Sequence, residues 1–105
     1  MRQAAPITEA ESELLKVLWR LGPLTPPRLI AEVKAAKPWG EATIKTLLAR
    51  LKQKDLVQGL RDDGVLRYHP MITRAAYVEG EVEALTQRLF GGDRHMLADY
   101  LSKRD

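Results

Sequence analysis

The chain has no cysteine. That absence excludes a disulfide framework, a thiolate zinc site and a cysteine nucleophile, and it agrees with a reducing compartment. Long apolar runs are missing as well. No stretch approaches the roughly 20 residues needed to span a bilayer, so no membrane insertion is expected. The opening residues, Met-Arg-Gln-Ala-Ala-Pro, lack the apolar run of a secretory signal, and the expected location is the cytoplasm. There is no glycine-rich phosphate loop and no nucleophile beside a base. The two histidines, His69 and His95, stand far apart, with no acidic cluster at metal-ligand spacing. Neither an enzyme, a cofactor nor a metal site is expected. Internal repeats and low-complexity stretches are also absent.

What the chain does have is enough apolar material for one ordinary core: 105 residues, 45% of them hydrophobic. The net charge is +3, which suits a polyanionic partner but is far below that of a tail binding nucleic acid by charge alone. The charge is unevenly spread. Residues 1 to 70 hold 12 Lys/Arg against 8 Asp/Glu, and residues 71 to 105 hold 5 against 6.

Thr8-Glu-Ala-Glu11 has capping-box spacing and starts a first helix, with Leu14, Val17, Leu18 and Leu21 following at helical spacing and Gly22-Pro23 at its end. Thr25-Pro26 starts a second helix, with Leu29, Ile30 and Val33 facing inward. Lys37-Pro38-Trp39-Gly40 breaks it. A third helix runs from Glu41 to about Lys54, supported by an i,i+4 pair between Glu41 and Lys45. The periodicity then alternates over Val57 to Arg61 and Val65 to His69, around an Asp62-Asp63-Gly64 turn, which predicts a two-stranded hairpin. Leu60, Leu66 and Tyr68 are expected to lean on the helices. From Thr73 a fourth helix is predicted, stopped by Gly91-Gly92 and followed by a short fifth. Three helices and a two-stranded wing are the winged helix-turn-helix order. The expected fold is mainly α, with residues 1–72 as the winged-helix domain and 73–105 as a two-helix C-terminal arm.

The third helix carries the most information. Ile44, Leu47, Leu48 and Leu51 recur at helical spacing toward a core, while Thr43, Thr46 and Arg50 line another face beside Ala42 and Lys45. Threonine hydroxyls and methyls, a short alanine and a long arginine suit the base edges and phosphates of a major groove. The bland alternative is a solvated amphipathic face. Lys45, Lys52 and Lys54 either solubilise the helix or neutralise phosphates. On the second reading, replacing Lys54 weakens binding to all sequences alike and flattens the salt slope. Trp39 is a candidate for a half-buried role, its ring plugging the core and its N–H offered to a phosphate. Arg28, near the start of the second helix, is a further phosphate candidate. Glu79 and Glu83 share a helix face and read as a solvated stripe.

With the segments Ile7-Thr-Glu-Ala-Glu-Ser-Glu-Leu-Leu-Lys-Val-Leu-Trp19, Thr43-Ile-Lys-Thr-Leu-Leu-Ala-Arg-Leu51 and Tyr68-His-Pro70, nearly the whole chain resembles the penicillinase and methicillin-resistance repressor family of bacterial winged-helix regulators. The resemblance implies a homodimer that binds a palindromic operator in double-stranded DNA and represses transcription. It implies major-groove contacts from Ala42, Thr43 and Thr46, backbone contacts from the wing, and a dimer interface in the C-terminal helices. There the apolar candidates are Tyr77, Val78, Val82, Leu85, Leu89, Leu97, Tyr100 and Leu101, which could instead pack privately within one subunit. The chain departs from the family pattern in three ways. Its wing tip is acidic, which leaves Arg61 and Arg67 as the wing's candidate contacts. Without cysteine it cannot carry the copper-responsive branch's C-terminal cluster. The family's protease-sensitive Asn-Phe bond corresponds to Asp99-Tyr100, and the chain ends without the family's final helix, so control by a sensor-protease pathway is an open expectation. A rival of another class is a winged-helix module that binds an acidic protein through the same surface. A membrane-surface role for residues 73 to 90 is disfavoured by Glu79, Glu81 and Glu83.

Overall fold

A computed structural model describes residues 6–103. Residues 1–5, on which the missing-signal reading mainly rests, lie outside that range. The chain forms two compact units, Met1–Thr73 and Arg74–Asp105.

In the first unit, helix α1 spans Glu9–Leu21. The Thr8 hydroxyl accepts the Glu11 N–H at 3.1 Å, and the Thr8 N–H donates to Glu11 Oε1 at 3.0 Å, so both arms of the capping box are closed. Gly22, with φ at +83°, ends the helix by returning its N–H to the Leu18 carbonyl. Helix α2, Pro26–Ala36, starts from Thr25 with proline in its first turn. Helix α3 spans Glu41–Gln53, with Gly40 as N-cap and Lys54 as C-cap. Leu14, Leu15, Leu18, Leu29, Val33, Ile44 and Leu51 of these helices pack into one core with hardly any exposure. Ile30, Trp19 and Trp39 cover its rim. The Trp19 Nε1–H donates to the Ile72 carbonyl at 2.9 Å and so joins α1 to the segment after the hairpin.

Strands β1, Val57–Asp62, and β2, Val65–Pro70, pair antiparallel, with Gly59 opposite Tyr68 and Leu60 opposite Arg67. Both strands run one residue further than the alternation suggests. Asp62 still pairs with Val65, which leaves a two-residue turn at Asp63 and Gly64, both with positive φ, the form that matches strand twist. Tyr68 is buried. Its backbone also bridges to Leu24, donating to the Leu24 carbonyl at 2.7 Å and accepting the Leu24 N–H at 3.3 Å. Gly59 has a steric role, because a Cβ there would come within 3.2 Å of the Tyr68 ring and 3.1 Å of Leu66. Leu60 does not lean on the helices as expected. Side chains directly opposite share a face, so the register that turns Tyr68 inward turns Leu60 outward with Arg67, and Leu60 is exposed.

In the second unit, helix α4, Arg74–Phe90, ends at Gly91 and Gly92, both at positive φ. Helix α5, Arg94–Ser102, starts from Asp93, whose carboxylate accepts the His95 and Met96 N–H groups. Glu79 and Glu83 are exposed, as a solvated stripe would be, and both face Arg94. Glu79 Oε2 accepts a hydrogen bond from Arg94 Nη2, and Glu83 Oε1 lies 3.6 Å from the same nitrogen, so the two carboxylates tie α4 to α5.

Candidate nucleic-acid interface

Helix α3 divides along its length. Ile44, Leu47, Leu48 and Leu51 are buried, while Ala42, Thr43, Lys45, Thr46, Ala49 and Arg50 are all exposed. The 3.6-residue period produces this split, because each apolar residue anchored in the core turns the intervening positions to solvent. Thr43, Thr46 and Arg50 form one strip of that surface. Ala49, not singled out from the sequence, lies beside them and extends the low, small-residue part of the strip. The Thr46 hydroxyl donates to the Ala42 carbonyl at 3.0 Å, which leaves its oxygen lone pairs and methyl group for an external partner.

At the start of α3, Lys45 Nζ lies 2.8 Å from Glu41 Oε2, the i,i+4 pair expected from the sequence. The hydrogen bond and charge of Lys45 hold the Glu41 carboxyl below its ordinary value, with a smaller contribution from Lys34, and Glu41 in turn raises Lys45. The negative charge in the first turn is therefore matched on the spot. Lys34 is a second cation that the sequence reading passed over. The short connection from the last turn of α2 brings it to the head of α3, where a shallow groove is lined by Pro27, Ile30, Ala31, Lys34 and Lys45. Arg28 is exposed, with its Nε donating to Glu32 at 2.9 Å. Trp39 is half-buried against the core rim.

Two basic residues near the end of α3 have partners of their own. Lys52 stands over the Tyr68 ring, 5.4 Å from its centroid, a cation–π contact that covers the hairpin's buried tyrosine. For Lys54, left between a solvated role and a phosphate contact by the sequence, the structure supplies an internal partner. Its Nζ donates to Glu11 Oε1 at 2.7 Å and to the Pro6 carbonyl at 2.8 Å, and its side chain is only 23% exposed. Its charge is spent inside the fold. Burial pushes the Glu11 carboxyl up, but the Lys54 hydrogen bond, the Thr8 N–H and the Lys54 charge together outweigh it and leave the group below its ordinary value.

In the wing, Arg61 and Arg67 occupy opposite faces, since Arg61 is paired with Leu66 and Arg67 with Leu60. Both reach back to the tip. Arg61 Nη1 donates to the Gly64 carbonyl at 2.9 Å, and Arg67 Nη1 lies 3.4 Å from the Asp62 carbonyl. The Asp62 carboxylate sits 3.0 Å from His69 Nε2, so part of the tip's acidity is engaged within the ribbon. The structure thus gathers Ala42, Thr43, Lys45, Thr46 and Arg50 on one helix surface. Lys54 is instead paired with Glu11, and the two wing arginines stand on opposite faces of the hairpin.

The penicillinase repressor family model matches residues 7–105. Among curated relatives, the penicillinase repressor of Bacillus licheniformis is 28% identical over 92 residues, covering 88% of this chain and 72% of the relative. The methicillin resistance regulatory protein MecI of Staphylococcus aureus is 24% identical over 105 residues, covering 94% and 81%. Among solved structures, the Bacillus licheniformis BlaI monomeric form in complex with the blaP half-operator superposes with a TM-score of 0.64 at 30% identity. That alignment covers 73% of this chain and 94% of the other. The DNA-binding domain of the repressor BlaI gives a TM-score of 0.62, also at 30% identity.

Proposed function

The chain belongs to the penicillinase repressor family, and on that premise we propose that it is a sequence-specific, DNA-binding transcriptional repressor that acts as a homodimer on a palindromic operator. The observation that carries the reading is the exposed strip of α3, in which Ala42, Thr43, Thr46 and Arg50 stand clear of the fold on a helix clamped from behind by its own core stripe. Small hydroxyl-bearing and methyl-bearing side chains let a helix approach base edges closely, and the neighbouring cations Lys45 and Arg28 supply phosphate contacts. Similarity to a protein solved in complex with a half-operator supports a DNA-binding role for this unit.

Residues 1–72 are the DNA-binding part of this proposal and 73–105 the dimerising part. Two-fold recognition needs paired reading helices about 34 Å apart, which a single subunit cannot supply. The apolar side chains that α4 and α5 leave uncovered, Val78, Leu89, Tyr100 and Leu101, are the surface proposed for pairing, with Tyr77, Val82, Leu85 and Leu97 half-buried beside them. Control by a sensor-protease pathway is a further part of the proposal. The Asp99-Tyr100 bond lies within α5, so cutting there requires that helix to open locally.

Selection of bound sequences from random duplex DNA tests the reading. A recovered palindrome is the expected result. A mobility-shift assay at two salt concentrations separates the rival, since a module for acidic proteins retains no duplex even at low salt.

A further inference from the structure

The residues that close the capping box of α1 also close the far end of α3. Glu11 is completely covered, its Oε1 shared between the Thr8 N–H and the Lys54 ammonium, and its Oε2 has no hydrogen-bond partner among the described residues. Lys54 is the C-cap of α3, directly after the last helical turn. Its backbone N–H returns to the Arg50 carbonyl, and the next residue, Asp55, turns left-handed with φ at +61°. The same ammonium holds the Pro6 carbonyl, so the chain entering α1 and the chain leaving α3 meet at one nitrogen. At the head of α3, Gly40 offers no side-chain cap, and Ile44 and Trp39 hold that end by apolar packing.

From this we infer that Glu11 and Lys54 are a positioning pair for the reading helix: Lys54 sets the angle of α3 from behind and does not touch nucleic acid itself. The inference rests on the proposed DNA-reading role of α3. The geometry explains why an angle matters. Thr46 lies eight residues before Lys54, about 12 Å along the axis, so a tilt of about 5° at the fastened end moves its side chain by about 1 Å. A hydrogen bond to a base edge tolerates only a few tenths of an ångström, whereas a lysine-phosphate contact in water tolerates far more. Loosening the pair should therefore degrade sequence discrimination and spare attraction to the backbone. An unpaired Glu11 would also be left with both oxygens covered and no cation, a state relieved by taking up a proton or by shifting α1 against α3.

The experiment compares the 105-residue chain with its Lys54→Met variant, which keeps the apolar stem and removes the charge. Lys54→Gln, a milder change that keeps a donor, serves if Lys54→Met does not fold. Dissociation constants are measured for a duplex selected by the wild-type protein and for a random-sequence duplex, over a series of salt concentrations below the variant's melting temperature. The expected result is a loss of about tenfold or more on the selected duplex, less than about twofold on the random one, and an unchanged salt slope. Lys54→Arg, which keeps charge and donor, should restore most of the ratio. An equal loss on both duplexes with the slope reduced by about one would make Lys54 a phosphate contact and overturn the inference. A lowered melting temperature with an unchanged ratio would reduce the pair to a stabilising role and overturn it too. If the wild-type protein retains no duplex, the DNA-reading proposal itself falls and takes this inference with it.

Discussion

All the buried apolar side chains among the described residues, from Leu14 to Tyr68, belong to the unit Met1–Thr73, whereas in Arg74–Asp105 the one fully covered side chain is a threonine, Thr86, whose hydroxyl donates to the Val82 carbonyl. The first unit satisfies its hydrophobic stripes internally: α1, α2 and α3 each bury one, and the hairpin adds Val57 and Tyr68. The second has two helices with apolar residues at helical spacing, yet Leu89, Tyr100 and Leu101 are each more than half exposed. Two helices packed on each other cover little beyond the seam between them, so apolar surface remains over. One unit closes a core of its own, and the other leaves uncovered the apolar side chains proposed above for pairing.

The sharpest way to break that contrast is in the core. Leu51→Ala, at a fully buried position of α3, should cost about 3 kcal/mol of unfolding free energy by denaturant titration. Leu89→Ala should change the stability of an isolated subunit by no more than about 0.5 kcal/mol. Similar costs at both sites would mean that the second unit hides a core of its own.

Next in size is the effect of charge on the exposed apolar residues. In the 105-residue chain, Leu89→Asp with Leu101→Asp should leave the subunit folded, shift its sedimentation from dimer to monomer, and weaken binding to a palindromic duplex about a hundredfold through loss of linked half-site binding. Unchanged sedimentation would place the pairing surface elsewhere.

On the reading helix the expected effects are smaller and differ in kind. Thr46→Ala should cost on the order of 1 kcal/mol on the selected duplex and relax preference at one base pair. Lys45→Ala should weaken all sequences alike and reduce the salt slope by about one. Competition titrations against single-base variants distinguish the two, and matching behaviour would remove the base-reading role from Thr46.

The mildest probe is acid. The folded Glu11 carboxyl lies below its ordinary value of 4.5, so its stabilisation is complete above that value and is lost as pH falls through the folded one. The stability difference between wild type and Glu11→Leu should therefore shrink as pH drops below about 4.5. A difference constant with pH would mean that Glu11 is not ionised in its pair.

Much of the first unit was legible because its signals are local. The Thr8-Glu11 capping box, the Thr25-Pro26 start, the α3 stripe and the Asp63-Gly64 turn each depend on residues a few positions apart, and each formed where its spacing indicated. The exposed strip of Ala42, Thr43, Thr46 and Arg50 follows from the same period. What could not be read was direction across the sheet and partnership over distance. Alternation marks β1 and β2 as strands but leaves open which alternate set faces inward, and so Leu60 was assigned to the wrong side of the hairpin.

The sequence by itself determined the helices, the turn and the side of α3 that faces water, since helical period, caps and turn residues act over one or two turns of chain. Only the tertiary structure decided that Lys54 meets Glu11 across 43 positions, that Trp19 holds the Ile72 carbonyl across 53, and that Arg94 bridges Glu79 and Glu83. A charged side chain can satisfy itself in water, on a phosphate or on another residue. Which of these it does depends on what the packed helices bring within about 3 Å, and no short-range pattern encodes that distance.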